Sequence, residues 1–171
     1  MEFNEVLKKR RCIRSYTGEL VSEEEEKKIL AAAESSPASM GEYDAVHITV
    51  IKNKDMLEKI EKFSQELFHT DRSLLYNAPE LIIVSVKADD NPNHSNAAIV
   101  AHNMLLEAVN MGVGACYIWG CTIAVSHNPE LIKALNIPDG FIPAAGISLG
   151  ISNEIYEDRE IPEGRIAVNY I

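Results

Sequence analysis

The chain has 171 residues, 46% of them hydrophobic, and a formal net charge of −10 at pH 7. This length favours a single domain over residues 1–171, and the acidic balance argues against nucleic acid or an anionic membrane as a partner. An N-terminus without a leader pattern, no apolar run of membrane-spanning length and only three cysteines predict a cytoplasmic protein with reduced thiols.

The first feature along the chain is the basic segment Lys8–Arg14, which holds five of the sixteen basic residues in seven positions. It follows Phe3, Val6 and Leu7, whose spacing predicts a short helix that ends at the arginines. Planar guanidinium groups bind phosphate oxygens through paired hydrogen bonds, so the segment predicts an anion site. A solvated basic face, or a set of surface ion pairs with the many glutamates, fits the spacing equally well.

A capping box at Ser22–Glu25 predicts a second helix that runs to about Glu34. Small residues fill the next stretch, Ser35–Gly41, and a backbone without bulky side chains can approach a ligand closely. An ordinary connecting loop is the alternative interpretation of this stretch.

The middle of the chain reads as strands and helices in turn. β-Branched residues predict a strand at Val46–Ile51, and apolar positions at helical spacing predict a helix over Lys54–Phe68. Asp71–Asn77 is interpreted as a short helix or turn. The nearly continuous apolar run Leu81–Val86 predicts a central strand that is covered on both faces.

A long helix is predicted over Asn96–Met111, between the polar loop Asp89–Asn93 and Gly112. Apolar side chains cover almost its whole circumference, so we expect it to be buried on all sides. A partner subunit would supply the missing cover, although the sheet and flanking helices of the same chain could also do so.

The last third of the chain is less regular. Gly112–Gly120 predicts a turn into a strand, Asn128–Leu135 a short helix with Asn128 as its cap, and Ile142–Ile151 a strand with small residues where something packs closely. Arg165–Ile171 alternates like a strand. Such a tail often pairs with another edge, including one across a subunit boundary.

Several common kinds of chemistry are missing from the sequence. There is no phosphate-binding P-loop, and Gly112-Val113-Gly114 lacks the third glycine of a dinucleotide-binding motif and follows a helix. The histidines are scattered, and Cys116 and Cys121 form a lone pair, so no metal site is expected. There is no Gly-x-Ser-x-Gly elbow, and the sequence places no base beside a cysteine nucleophile.

Four segments, in order, resemble the nitroreductase family of flavin-dependent oxidoreductases over nearly the whole chain. Arg10-Arg11-Cys12-Ile13-Arg14-Ser15-Tyr16 resembles the family's Arg-Arg-Ser-x-Arg-x-Phe/Tyr, and Ser36-Pro37-Ala38-Ser39-Met40 resembles its Pro-Ser-x-x-Asn loop. Ala101–Ala108 followed by Gly112–Ile118 is similar to the family's long dimer helix and its Gly-Leu-Gly-x-Cys-Trp-Ile continuation.

The resemblance implies an α+β fold, with a central and mainly antiparallel sheet flanked by helices in an intertwined homodimer. It implies FMN as the cofactor, NADH or NADPH as the electron donor, and an electron-poor small-molecule acceptor such as a nitro compound or quinone in a ping-pong cycle. FMN carries the redox chemistry in this family, so the resemblance implies no catalytic side chain and no metal.

The resemblance also implies a set of site residues. The FMN phosphate would be held by Arg10, Arg11, Cys12 and Arg14; the loop reaching the partner's flavin would be Pro37, Ala38, Ser39, Met40 and Gly41; the strand against the ring would be Tyr117, Ile118, Trp119 and Gly120. The backbone of Trp119 and Gly120 would serve the flavin N5. The family's C-terminal cation on the phosphate has two candidates here, Arg159 and Arg165, and both stay open.

The sequence departs from the family at two places. Cys12 replaces the usual serine with a poorer hydrogen-bond donor of similar size. Gly41–Ala45 replaces the family's Asn-x-Gln-Pro-Trp with a one-residue insertion, so the acceptor does not follow from the resemblance. A non-catalytic flavin-binding sensor or storage protein is the main alternative, and an unrelated anion-binding dimer is a third interpretation.

Overall fold

The computed structural model describes residues 1–171 and shows an α+β fold, which confirms the expected class. The helices are α1 Phe3–Lys9, α2 Glu23–Glu34, α3 Lys54–Phe68, α4 Asn91–Met111, α5 Gly120–Ser126 and α6 Pro129–Ala134. The strands are β1 Val46–Ile51, β2 Glu80–Val86, β3 Gly114–Tyr117 and β4 Ile142–Gly150. Two single 3₁₀ turns, Ser39–Gly41 and Tyr43–Ala45, lie between α2 and β1.

The four strands form one sheet in the order β1-β2-β4-β3, and every neighbouring pair is antiparallel. Side chains of β2 alternate between its two faces, and both faces are buried. Ile82 and Val84 pack with α2 and α4, whereas Leu81 and Ile83 pack with α3, α5 and α6. The sheet is therefore a middle layer between two helical layers, as the continuous apolar run of β2 predicts.

Local signals set most of the helix ends where the sequence predicts them. Ser22 accepts a hydrogen bond from the Glu25 N–H, and the Glu25 carboxylate accepts from the Ser22 N–H, so the predicted capping box forms. The C-terminal ends of α2 and α3 are confirmed at Glu34 and Phe68. Helix α4 ends at Met111 and is capped by Gly112, whose φ of 80° suits a glycine best.

The predicted start of α4 at Asn96 is wrong, because the helix already begins at Asn91. The Asp90 side chain accepts a hydrogen bond from the Asn93 N–H at 2.9 Å, and Pro92 occupies the first turn. A proline costs nothing there, since the first helical N–H groups have no partner within the helix. The segment interpreted as a polar loop is therefore a capped first turn.

Within a single chain, helix α4 is not buried on all sides, so the sheet and flanking helices of the same chain do not supply the whole of the expected cover. Beyond the first turn, its solvent-facing positions form one strip: Ser95, Ala98, Ile99 and His102. Ile99 is the large apolar side chain of this strip, and it is 39% exposed. The chain covers α4 with the sheet and with α2, and it leaves this strip open. Neither α4 nor any other helix combines the length and hydropathy needed to cross a membrane.

The predicted strand in the tail does not form within the chain. No strand occurs beyond Gly150, and every residue from 160 to 171 is exposed. An alternating pattern needs a second edge with which to pair, and within this chain the tail pairs with neither edge strand of the sheet.

A pair of carboxyl groups lies close together between α2 and the sheet. Glu80 opens β2 and is fully buried, and its two oxygens have no basic or amide donor. Glu26 of α2 faces Glu80 and forms an ion pair with Lys52. Burial, followed by the charge of Glu26, raises the pKa of Glu80 to about 7, against the opposing effect of Lys52. Two neighbouring carboxyl groups can share a hydrogen bond only while one of them is protonated, because a carboxylate has no proton to donate.

Candidate functional site

The basic segment runs as an extended stretch beside β3 after α1 ends at Lys9. The Ile13 N–H donates to the carbonyl oxygen of Ala115 at 2.8 Å, and the Tyr16 hydroxyl forms a hydrogen bond with Ser148 Oγ at 2.9 Å. Ile13 and Tyr16 are buried, while Arg11 and Arg14 are exposed. This alternation anchors the segment on the core and directs guanidinium groups to the surface.

The arginines of this segment differ in their partners. Arg11 forms a salt bridge with Glu154 at 3.1 Å, so the ion-pair interpretation holds for this residue. The side chains of Arg10 and Arg14 form no salt bridge; the Arg14 guanidinium carbon lies 5.6 Å from the centroid of the Tyr76 ring. Two unneutralised guanidinium groups therefore remain for an external anion.

Both C-terminal candidates contribute to the same positive region. Arg159 donates hydrogen bonds from Nε to the carbonyl oxygen of Lys8 at 3.2 Å and from a terminal nitrogen to that of Leu7 at 3.4 Å. Partial burial, followed by the charges of Arg10 and Arg165, lowers the pKa of Arg159. Because guanidinium groups repel one another at this range, a bound anion would stabilise all three.

The end of β3 leads into a turn with free donors. The Ile118 N–H donates to the carbonyl oxygen of Gly146 at 2.8 Å, and Thr122 Oγ1 donates to that of Ile118 at 2.9 Å. These bonds hold the backbone at Trp119 and Gly120, whose own N–H groups have no hydrogen-bond partner in the chain. The Trp119 side chain is 57% exposed. Two adjacent backbone donors at this turn thus have no partner within the chain.

Cys12 links the basic segment to this turn. Cys12 packs against the apolar cluster that contains Cys116 and Ile118. The basic segment, the end of β3 and the C-terminal arginines therefore form one continuous surface.

The small-residue loop, Pro37–Gly41, lies apart from that surface. The Ser39 N–H donates to Asn96 Oδ1 at 3.0 Å, which attaches the loop to the N-terminal half of α4. Met40 has a left-handed backbone, with φ of 56°, and its side chain is 92% exposed. No hydrogen bond or ion pair joins the loop to the basic segment. The chain alone thus brings together two parts of the expected site and leaves the loop outside it.

The chain has a cavity of about 550 Å³, but it is not at this site. Its lining includes Lys52, Glu58, Glu61, Ser73 and Pro79, and it contains none of the residues implied by the resemblance. The surface formed by the basic segment and β3 is open in a single chain. The candidate site is therefore identified by its charged groups and backbone donors, and not by the shape of a cavity.

Three residues that shape the site were missed at the level of sequence. Glu154 neutralises Arg11 and accepts a hydrogen bond from the Arg14 N–H at 2.6 Å, and Tyr76 lies beneath the Arg14 guanidinium. Tyr156 accepts from the Ala115 N–H at 3.2 Å and donates to the Val113 carbonyl at 2.9 Å. An aromatic residue inside a polar tail, as at Tyr156, was the signal available for an anchor.

Comparisons with known proteins show reductases among the relatives of this chain. A Methanothermobacter thermautotrophicus protein with the provisional name NADH dehydrogenase/NAD(P)H nitroreductase is 33% identical over 159 residues, which cover 90% of this chain and 79% of that protein. A Cr(VI) reductase from Pseudomonas sp. strain G-1 is 26% identical over 162 residues, 86% of this chain and 65% of that protein.

A crystal structure of a nitroreductase with bound FMN from Bacteroides fragilis NCTC 9343 confirms the fold. It superimposes with a TM-score of 0.85 at 23% identity and covers 99% of this chain and 100% of that chain. Residues 7–151 match the Nitroreductase family. The chain therefore belongs to the Nitroreductase family.

Proposed function

We propose that the protein is an FMN-dependent oxidoreductase that uses NADH or NADPH to reduce an electron-poor small molecule. One observation carries the proposal: the guanidinium groups of Arg10 and Arg14 form no salt bridge and lie on the same surface as the unpaired N–H groups of Trp119 and Gly120. Family membership and the names of the relatives support the same activity.

The residues present fit FMN at both of its ends. Arg10 and Arg14 would hold the phosphate, and the positive charge of Arg159 and Arg165 would add to theirs. The N–H groups of Trp119 and Gly120 would donate to the flavin ring, with Trp119 standing beside it. When bound, FMN supplies the hydride and electron transfer chemistry. The chain then needs no acid or base side chain of its own, and we infer that donor and acceptor occupy one exposed face in turn, in a ping-pong order.

An absorbance spectrum of the purified protein tests this proposal. We expect a flavin spectrum that bleaches on anaerobic addition of NADH or NADPH and returns when an acceptor is added. A colourless protein that takes up no FMN would contradict cofactor binding. Flavin that is reduced once, without turnover against any acceptor, would favour the sensor or storage alternative, for which the altered loop Gly41–Ala45 is the supporting feature.

We infer that the working unit is a homodimer whose subunits complete each other's sites. Helix α1, which leads into the basic segment, contacts α4, and partial burial followed by the charge of Arg10 lowers the pKa of His102 on the open strip. The loop Pro37–Gly41 forms no hydrogen bond or ion pair with the basic segment of its own chain, whereas a partner's loop could reach it. Covering the strip would also remove Ile99 from water.

Ile99→Glu should break this dimer. A carboxylate buried at the centre of an apolar interface without a partner is costly, so we expect self-association to weaken by about a hundredfold or more. Sedimentation of the wild type at micromolar concentration should give twice the chain mass, and the variant should give the chain mass. Val50→Glu, on the exposed side of the edge strand β1, is the matched control and should stay dimeric. A wild-type monomer that retains FMN would contradict the inference.

Trp119 and the loop at Glu42 and Tyr43 should affect different half-reactions. Trp119→Phe keeps the main-chain N–H, so we expect flavin reduction by NAD(P)H to be nearly unchanged in stopped-flow measurements. Glu42→Gln and Tyr43→Ala should instead shift acceptor preference, because a pocket contact discriminates between substrates by about 1–3 kcal/mol.

The acceptor panel should include nitro compounds, quinones, enones and chromate, the last because one relative is named a Cr(VI) reductase. Glu34→Gln, at the exposed end of α2, is the control for Glu42→Gln. Loss of flavin reduction in Trp119→Phe with FMN still bound would contradict the backbone role. Loop variants that treat the whole panel as the wild type does would contradict the recognition role.

A further inference from the structure

Two of the three free cysteines meet beneath the basic segment. The hydrogen bond from the Ile13 N–H to the Ala115 carbonyl joins the neighbours of Cys12 and Cys116 at 2.8 Å. Cys12 packs against the apolar cluster that contains Cys116, and the Cys116 thiol lies 3.5 Å from the Tyr117 carbonyl oxygen. Cys12 is half-buried, with one side open to solvent, and Cys116 is buried behind it. The two sulfur atoms are therefore neighbours, and only the outer one can be reached from solvent.

The surroundings of the pair shift the pKa values of the two thiols in opposite directions. The pKa of Cys12 is lowered, chiefly by the Cys116 S–H; burial opposes this, and a backbone N–H, Arg14 and Arg10 add to it. The pKa of Cys116 is raised by the same shared proton and by burial, and Glu154 on the tail contributes in the same direction. Cys12 thus carries the thiolate, which is the nucleophilic form, and Cys116 keeps its proton.

We propose that Cys12 and Cys116 are a peroxide-sensitive thiol pair that closes reversibly into an intramolecular disulfide. The outer, cation-flanked sulfur is the one attacked, and the buried sulfur is the one that resolves the product. Cys121 takes no part, because it is fully buried on α5 and its sulfur lies 4.0 Å from a carboxylate oxygen of Glu61.

The chemistry balances with one equivalent of hydrogen peroxide as the oxidant. The Cys12 thiolate attacks one peroxide oxygen, the O–O bond breaks, and the sulfur becomes a sulfenic acid as hydroxide leaves and takes up a proton to form water. The Cys116 sulfur then attacks the Cys12 sulfur, an S–S bond forms, and the sulfenic oxygen leaves as a second water with the Cys116 proton. Each sulfur loses one electron to the peroxide, which is reduced to two waters. An added dithiol reverses the bond by thiol–disulfide exchange.

The disulfide is coupled to the cofactor if the proposed function holds, since this step rests on FMN phosphate binding at Arg10 and Arg14. A phosphate beside Cys12 would cover its sulfur and disfavour the thiolate by like-charge repulsion. Bound FMN should therefore protect the pair, so that oxidation acts on protein that has lost its cofactor.

The first test uses the flavin-free full-length protein. One equivalent of hydrogen peroxide, followed by alkylation of the remaining thiols, should give an intact mass lower by two hydrogens with one thiol alkylated. A non-reducing peptide map should show Cys12 joined to Cys116, and dithiothreitol should restore both thiols. Cys121→Ser should form the same cross-link. Cys116→Ser should stop at a Cys12 sulfenic acid that dimedone traps.

The results can distinguish a failure of the thiol-pair proposal from a failure of the proposed function. Wild-type protein without the Cys12–Cys116 link, or with Cys121 in the link, overturns the proposal, and this result does not depend on whether a variant folds. The second arm repeats the reaction with saturating FMN, which should slow cross-linking by about tenfold or more. Protein that binds FMN yet cross-links at the flavin-free rate overturns the coupling. Protein that binds no FMN but forms the link overturns the proposed function and supports the thiol pair.

Discussion

Arg14→Ala should weaken FMN binding by about tenfold to a hundredfold while the chain stays folded. The guanidinium of Arg14 is exposed and rests on Tyr76 without a carboxylate partner. Removing it leaves the core untouched and removes one charged phosphate contact, which costs about 1.5–3 kcal/mol. Titration of flavin-free protein with FMN, followed by flavin fluorescence, measures the change.

The loss of FMN affinity should differ among the arginine variants. Arg10→Ala should lose about as much as Arg14→Ala, because neither side chain has a salt bridge. Arg11→Ala should lose less, since Glu154 already neutralises Arg11. Arg72→Ala, exposed and outside the basic segment, is the control and should bind FMN like the wild type. Wild-type affinity in all three variants of the segment would mean that it is only a solvated basic face.

Glu80→Gln should remove a pH dependence of stability. The folded chain keeps the Glu80 proton up to about pH 7, whereas the unfolded chain releases it near the ordinary value of 4.5. The folded state therefore binds more protons between these two values, and the free energy of unfolding falls as pH rises through this window. The loss should be on the order of 2–3 kcal/mol between pH 5 and pH 8.

Glutamine avoids this loss because its amide donates to Glu26 at any pH. Urea unfolding at pH 5 and pH 8, at one fixed protein concentration, should show wild type and variant close at pH 5 and the variant more stable at pH 8. The groups that face Glu80 are Glu26 and Lys52, and both remain in the variant. Glu163→Gln, on the exposed tail, should behave as the wild type does. A difference between wild type and Glu80→Gln that does not change with pH would contradict the linkage.

The sequence predicts the elements whose signals are local. The capping box of Ser22 and Glu25, the periodicity of Lys54–Phe68 and the apolar run of β2 each specify an element without help from the rest of the chain. The start of α4 was misplaced because Asn91–Ser95 is polar. An aspartate cap followed by a proline was the correct signal there.

Other features depend on tertiary contacts and have no local signal. Helix α5 contains β-branched residues in Cys121–Val125, yet it is helical because it packs between β4 and α3. The burial of Glu80 has no signal in the sequence, because a glutamate that precedes an apolar run is normally interpreted as the exposed end of a strand. The partners of Arg11 and Arg14 lie more than sixty residues away, so the charges that are neutralised and those that stay free emerge only from the fold.

The sheet order also has a consequence for synthesis on the ribosome. Strand β4 lies between β2 and β3 but is the last strand to be translated, and its register pairs Leu149 with Glu80. Until residue 150 has left the exit tunnel, the nascent chain can form only the β1–β2 pair, with one edge of the apolar strand β2 bare. Long-range pairing of this kind folds slowly and exposes strands that aggregate. We therefore expect folding to finish after translation, with a nascent chain that depends on chaperones to shield β2 until β4 arrives.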